Sequence, residues 1–465
     1  MNRKGMFILA LVLITSMVLG ACSPATTTTD ITAAETQPTE KIVIVTKEVE
    51  VEKIVTPTPE STAVPQPLSG EVTLAAVSGA MIPFMEVMAK KFMDANPGVK
   101  ANIVPEPEGG AFEALIAAGN QPDIMVGSYG YMVTKYAAMD ALVPLEDMPG
   151  AEALFAELDP IVVKEYFGHK YYVPAGIDIT GMIYNKELFT EAGLDPEKPP
   201  ATIAEFLEFA AKIQDLPVRE DGTKVYGAVF WNDALAWGGW YWNMLQPIYL
   251  TINQNQCGLL NRIGSDIVFD QPECKMVDFF TFASTAQDYA PLTMEQNFFS
   301  RSIGMWLQYG YSWLPNLQDA KGQPMEIGKD VGVAPIPVVN AGDQPYTTLG
   351  GRPYMVLKTT PEREALAWEF VKFLMTDENN LAFDKELGYL PVKLSLQNDP
   401  YFQAPDRKPF TDLIPYAVFP PAFPDFDAVA NEILKIYNKV VVTGELTPEE
   451  GVTEAVTAAQ AAIAK

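Results

Sequence analysis

The sequence predicts an α/β protein, and three observations carry that prediction. From about Gly70 to Lys465, short apolar segments with the two-residue period of strands alternate with segments whose apolar residues recur at helical spacing. Prolines and glycines mark the changes of period, as at Asn96-Pro97-Gly98 and Gln121-Pro122. No internal repeat, heptad array or phosphate-binding glycine loop breaks the alternation. With 465 residues and 48% hydrophobic content, the chain can fill the cores of several domains.

The chain opens with Asn2-Arg3-Lys4, an apolar run from Met6 to Leu19, and Leu19-Gly20-Ala21-Cys22. These are the charged, apolar and small-residue parts of a secretory signal, expected over residues 1–21. The apolar run is too short for a stable bilayer span. Cleavage would remove Arg3 and Lys4, taking the basic count from 32 to 30 and the formal charge from −27 to −29. From Ser23 to Ser69 there are eleven Thr and six Pro, too little apolar area to offset ordering entropy, so residues 22–69 read as a surface tether. Within it, Lys41 to Val55 alternates Val or Ile with polar residues, as an extended spacer or a partner-binding strand.

Val72 to Val77 is the first strand candidate of the folded part. A helix follows, with Pro83 in an early position and Phe84, Val87, Met88 and Phe92 expected on one face. Asn96-Pro97-Gly98 stops it, and Val99, Ala101 and Ile103 alternate as a second strand, which predicts a parallel crossover. Gln121 to Gly127 turns into a third buried strand, and Tyr226 to Phe230 reads as another. Thr360 caps a helix with Pro361 at its first position and Leu366, Phe370, Phe373 and Leu374 as its buried stripe. Ligands of open α/β sheets bind at the carboxyl ends of the strands, so the loops there are the places to look for chemistry.

Composition excludes several functions. Thirty-two basic residues against 59 acidic ones make a poor counter-ion for nucleic acid. With one histidine, His169, multi-histidine metal sites are impossible and a catalytic triad could form only around that ring. Phe167-Gly168-His169 reads as a solvated turn.

Seven segments in order then carry a resemblance: Phe92-Met93-Asp94-Ala95-Asn96-Pro97-Gly98-Val99; Gly119-Asn120-Gln121-Pro122-Asp123-Ile124; Tyr172-Val173-Pro174 with Ile183-Tyr184-Asn185-Lys186-Glu187-Leu188-Phe189; Pro335-Ile336-Pro337; Gly350-Gly351; Ala367-Trp368-Glu369-Phe370-Val371-Lys372-Phe373-Leu374; and Gly388-Tyr389-Leu390-Pro391-Val392. The chain resembles the extracellular solute-binding proteins of ABC importers, in the group that holds the malto-oligosaccharide binders. It departs at Ser300-Arg301-Ser302-Ile303-Gly304-Met305, where the family has glycine, lysine and an Ala-Ala-Met run. The resemblance implies the two-lobed periplasmic-binding-protein fold of type II, with the ligand cleft between lobes joined by crossing hinge segments. Lobe 1 is expected over residues 70–175 and 336–389, lobe 2 over 176–335 and 390–465, with crossings near Ala175, Pro335 and Leu390. It also implies that Cys22 is lipidated and becomes the first mature residue; an ordinary signal with an incidental cysteine is the alternative.

A sugar presents C–H faces that suit flat aromatics and a hydroxyl rim that suits carboxylates and amides. Phe230 to Trp242 holds four of the seven tryptophans; Trp231 and Trp240 are candidates for stacking on ligand, with core packing as the rival. Asn232 and Asp233 suit polar sugar contacts or a helix cap. By the resemblance, Asp178 takes the place of an acidic ligand residue, or is a solvated hinge aspartate, and Tyr311 and Trp313 take that of paired aromatics facing the sugar, or of core. Ser78, Gly79, Gly127, Ser128 and Tyr129 follow strands at the expected cleft edge. Gly351 and Arg352 follow in a third loop, where Arg352 would grip a hydroxyl pair or ligand carboxylate, or pair with a surface acid. Cys257 and Cys274, exported, could form a disulfide or remain thiols.

The implied function is that of a lipid-anchored receptor on the outer face of the cytoplasmic membrane. It would capture a carbohydrate, an oligosaccharide by preference, and deliver it to an ABC permease. It would act as a monomer, with no cofactor, metal, catalytic residue or nucleic-acid partner. A receptor for a non-sugar solute is the second reading. A tethered glycoside hydrolase using Asp178 and Asp233 is the third; it needs carboxylates about 5–9.5 Å apart.

Overall fold

Parallel pairing of Ser69–Ala76 (β1) with Gly98–Pro105 (β2) builds the crossover that the alternating residues predict, in register Ser69 to Gly98. The computed structural model describes residues 67–77, 79–107, 110–229, 241–261, 264–291, 302–317 and 323–463. All of these lie in the unit Pro65–Lys465. The linking helix, Met81–Ala95, buries Met81, Phe84, Met85, Met88, Ala89 and Phe92. Val87, expected on that stripe, is 54% exposed, because the stripe runs through Met85 and Met88 and leaves position 87 to the side.

Ile124–Val126 (β3) adds to β1 in parallel. Its approach is fixed by Asp123, fully buried, whose Oδ2 accepts from the Thr73 backbone N–H at 2.8 Å and from Arg363 Nη2 at 3.0 Å. Arg363 lies in the helix Pro361–Leu374, which starts at the Thr360 cap as expected and stacks Phe370 on Phe92 at 4.7 Å. The Gln-Pro-Asp-Ile segment thus docks a helix as well as a strand.

Two strands cross the molecule. Val173–Asn185 (β4) pairs antiparallel with Thr347–Val356 (β8) through Val173 to Ile179. Beyond that point β4 pairs with Ile303–Gly310 (β6) on one side and Val331–Ala334 (β7) on the other. Tyr226–Val229 (β5) joins β6 in parallel, and Ala417–Val418 (β9) joins the start of β8. The sheet order β2-β1-β3-β8-β4-β6-β5 therefore consists of two half-sheets sharing β4. Asn185 ends β4 by capping the next helix, its Oδ1 accepting from Glu187 and Leu188 N–H.

The crossings differ from those expected at two places. Residues 336–346, expected with the first half, stay on the second. Ile203 donates to the Val338 carbonyl at 2.8 Å, Gln344 N–H to Gln254 Oε1 at 3.0 Å, and Tyr346 N–H to Thr251 Oγ1 at 3.0 Å. The passage lies in β8, where the ladder with β4 carries the chain across. Leu390 exchanges two backbone bonds with Ile177, yet the next residues return to the first half, Leu394 N–H donating to the Glu157 carbonyl at 2.9 Å. Lys408–Thr411 is the helix that reaches the second half, with Leu413 against Gly181.

Cys257 and Cys274 form a disulfide, with Cα atoms 5.2 Å apart, tying the turn after the helix Trp242–Asn253 to the entry of Met276–Gln287. His169 sits in the expected turn, with Phe167 and Gly168 at positive φ and its Nδ1 bonded to Glu146.

Candidate functional site

Register decides which loops meet. β3 runs antiparallel to β8, so its carboxyl end, Gly127-Ser128, arrives beside Arg352. β6 runs antiparallel to β4, with Gly310 opposite Thr180, so the turn after it arrives beside Asp178. Within the β4–β8 pair Gly176 faces Arg352 and Asp178 faces Gly350, which puts the Asp178 and Arg352 side chains on one face of the crossing.

Arg352 is half-buried and held by three hydrogen bonds. Its Nε donates to Tyr389 Oη at 3.0 Å, and its Nη1 to the Gly127 carbonyl and to Ser128 Oγ, both at 3.3 Å. The surface ion pair weighed for it is not formed among the described residues. Asp178 Oδ1 accepts from the Ser312 N–H at 3.0 Å and its Oδ2 from Ser312 Oγ at 2.7 Å. Burial raises the Asp178 carboxyl above its ordinary range, and the Ser312 bonds and the Arg352 charge pull it back. Glu106, the first residue after β2, also feels Arg352; burial raises its carboxyl too, with the guanidinium opposing.

Gly351 has φ +136°, and a Cβ there would come within 2.0 Å of the Gly176 carbonyl oxygen, so this close passage of β8 over β4 requires glycine. Trp313 is half-buried beside Trp306 and Tyr309. A Cβ on Gly310 would lie 3.4 Å from the Trp313 ring and 3.5 Å from Asp178 Oδ2, so indole and carboxylate flank the same spot.

Two residues expected at the cleft are buried. Tyr129 is 1% exposed; its hydroxyl donates to the Gly176 carbonyl at 3.0 Å and its ring lies against Tyr172 and Phe419. Tyr311 is buried against Phe410 and lines a cavity of about 600 Å³ with Met325, Lys385, Tyr401 and Arg407. None of Glu106, Ser128, Asp178 and Arg352 lines that cavity. Gly79 is exposed, in a turn with φ +86°. Ser78, Trp231, Asn232, Asp233, Trp240 and Cys22 lie outside the described residues.

Sequence reasoning missed Glu106, Ser312 and Tyr389 as members of this group. Ser312 and Tyr389 each stand inside a segment already singled out, whereas Glu106 had no signal beyond following a strand. It also missed the segment from Ala417, where Phe419 meets Tyr129 and a Cβ on Gly130, at φ +79°, would come within 2.8 Å of Pro420 and Pro421.

The family model described as bacterial extracellular solute-binding protein matches residues 78–381. A maltotriose-binding protein of Pyrococcus abyssi is 26% identical over 353 residues, covering 74% of this chain and 71% of that one. A periplasmic sn-glycerol-3-phosphate-binding protein of Salmonella typhimurium is 26% identical over 340 residues, covering 66% and 70%. Among solved structures, the cyclic alpha-maltosyl-1,6-maltose binding protein from Arthrobacter globiformis superposes with a TM-score of 0.70 at 21% identity, over 85% of this chain and 99% of that one. This last likeness is one of fold.

Proposed function

The chain belongs to the bacterial extracellular solute-binding proteins, and from that membership we propose that it is a receptor that captures a carbohydrate outside the membrane and hands it to an ABC permease. Members of this family bind solutes and do not turn them over, so the hydrolase reading of Asp178 and Asp233 is withdrawn. In keeping with that, both Asp178 oxygens are engaged by Ser312.

The observation that carries the sugar reading is Trp313 beside Asp178, an aromatic face next to a hydrogen-bonded carboxylate at the crossing of the half-sheets. The names of the maltotriose-binding relative and of the maltosyl-maltose-binding neighbour support it. Closure is a population shift: a ligand touching both halves favours the state in which they approach, and the permease distinguishes that state. Cys22 as lipid anchor, the tether of residues 22–69 and the permease complete the proposal.

Tryptophan fluorescence with calorimetry tests it, titrating the mature chain carrying Cys22→Ser with mono- and oligosaccharides. Saturable binding at micromolar sugar, weakened at least tenfold by Trp313→Ala, is expected. A flat response to every sugar would transfer the proposal to a non-carbohydrate solute. Incorporation of labelled palmitate, abolished by Cys22→Ser, tests the anchor separately.

A further inference from the structure

Another cavity, of about 460 Å³, lies on the second half, between the helix Trp242–Asn253, the loop tied by the disulfide and the segment from Ala417 to Phe426. Its volume falls within the roughly 300–1,000 Å³ of small-molecule sites. Phe419, Phe423 and Phe426 give it aromatic walls, and Leu250 and Leu260 add aliphatic ones. Two of these walls are braced from behind. The Phe419 ring lies 5.3 Å from that of Tyr129, and a Cβ on Gly264, at φ +75°, would come within 2.4 Å of the Phe423 ring. No Asp, Glu, Lys or Arg lines the cavity among the described residues, whereas Lys385, Arg407, Glu326 and Asp406 all line the one beside Tyr311. None of Ser128, Asp178, Trp313 and Arg352 lines it either.

One buried polar group in this cavity is unspent. Gln246 is 8% exposed, and its side-chain amide makes no hydrogen bond among the described residues. Its place in the helix is secured. Pro247 removes the N–H that would bond the Asn243 carbonyl, and Thr348 Oγ1 donates to that carbonyl at 2.6 Å instead. Taking an amide out of water without a partner is unfavourable unless a bound molecule fills it. Asn261, also at the wall, has spent its amide on Ser265 and Asp266.

We propose that this cavity is a second binding site, for an uncharged aromatic molecule carrying one hydrogen-bonding substituent, and that Gln246 bonds that substituent. The phenylalanine walls suit a ring, which packs against them edge-to-face or offset. A charged molecule would leave water and meet no counter-charge among the lining residues. A sugar fits poorly, because its rim of hydroxyls needs several polar partners and the other free amide, Asn255, is exposed. A single hydroxyl or amide on the ring is enough for Gln246, whose side chain both donates and accepts. The site lies apart from Asp178 and Arg352, so it stands independently of the receptor reading.

The test is calorimetric titration of the mature Cys22→Ser protein with benzyl alcohol, phenol and toluene, and with benzoate and benzylammonium as charged counterparts. The uncharged probes are expected to saturate one site, and the charged ones to bind at least tenfold more weakly. Gln246→Met keeps the length of the side chain and removes its amide. It is expected to weaken benzyl alcohol about 3- to 10-fold, the loss of one neutral hydrogen bond, and to leave toluene unchanged. Ala417→Trp, which fills the cavity, is expected to abolish binding of both. Thermal unfolding checks that each variant folds, and Gln246→Leu serves if the methionine form does not. The inference is overturned if benzoate or benzylammonium binds as tightly as benzyl alcohol, or if a folded Gln246 variant keeps the parent's ratio of benzyl alcohol to toluene affinity. Binding that survives Ala417→Trp overturns it too, as does the failure of every uncharged probe to saturate below its solubility limit. The probes carry no sugar, so none of these outcomes touches the carbohydrate reading.

Discussion

Asp384 sits inside the helix Asp377–Leu387, fully buried, with neither carboxyl oxygen hydrogen-bonded among the described residues and with its charge felt by Tyr129, Tyr311 and Tyr354. Burial raises its pKa well above the ordinary carboxylate value, so the folded state keeps a proton that the unfolded chain has released. The folded form then binds more protons than the unfolded one above about pH 4, and stability falls as pH rises from there toward the folded pKa. Asp384→Leu is expected to stabilise the protein by about 1–2 kcal/mol at pH 7, with the gain shrinking toward pH 4. Denaturant titrations across pH 4–8 measure this, and parallel pH profiles for parent and variant would reject it. Asp123 is the opposite case, a fully buried carboxylate whose partners are all in place, with Arg363 Nε at 2.8 Å from Oδ1. Arg363→Met leaves that charge short of its cation and is expected to lower stability by about 2–3 kcal/mol, read from the denaturation midpoint.

Among the elements, the crossing strands tolerate the least change. Gly351→Ala forces a side chain into the Gly176 carbonyl at a backbone angle that favours glycine, and it is expected to destabilise by more than 1 kcal/mol while also weakening ligand binding. Calorimetric unfolding and the sugar titration read the two effects from one sample. The disulfide acts on a loop of the second half, with the cysteines 17 residues apart. Replacing both with serine is expected to remove about 3 kcal/mol, by the chain-entropy model, without moving Asp178 or Arg352. A stability unchanged by the double substitution would show that the loop is ordered without the bond. The helix that starts at Thr360 was legible because its cap, first-turn proline and buried stripe are all local signals. The placement of Val87 was not, because which neighbouring face the core covers depends on the partner helix.

For the whole molecule, the two half-sheets share β4, whose ladder passes from β8 to β6 and β7 between Ile179 and Met182. Closure about this region is expected to lower the radius of gyration when a bound sugar joins both halves, measurable by small-angle scattering with and without ligand. Phe419, against Tyr129, joins β9 on the second half to the loop after β3 on the first. Phe419→Ala is expected to weaken sugar binding several-fold while leaving the unfolding midpoint within a few degrees. The boundary expected at Pro335 illustrates the limit of local reading. A Pro-Ile-Pro run announces a change of direction, but the hydrogen bonds that hold residues 336–346 to the second half come from residues far away in sequence.

The sequence by itself determined the strand and helix periods, the caps, the order of the family's segments, an acidic composition that makes a poor counter-ion for nucleic acid, and a single histidine that leaves no multi-histidine metal site. These are properties of neighbouring residues or of totals, so they need no coordinates. Only the tertiary structure decided that Ser312 fills Asp178 across 134 residues, that the Tyr129 hydroxyl is spent on the Gly176 carbonyl, and that Arg352 is held by Tyr389, Gly127 and Ser128. Hydrogen-bond capacity left over after folding depends on what every packed element has already taken, and strand register, set by long-range pairing, fixes that.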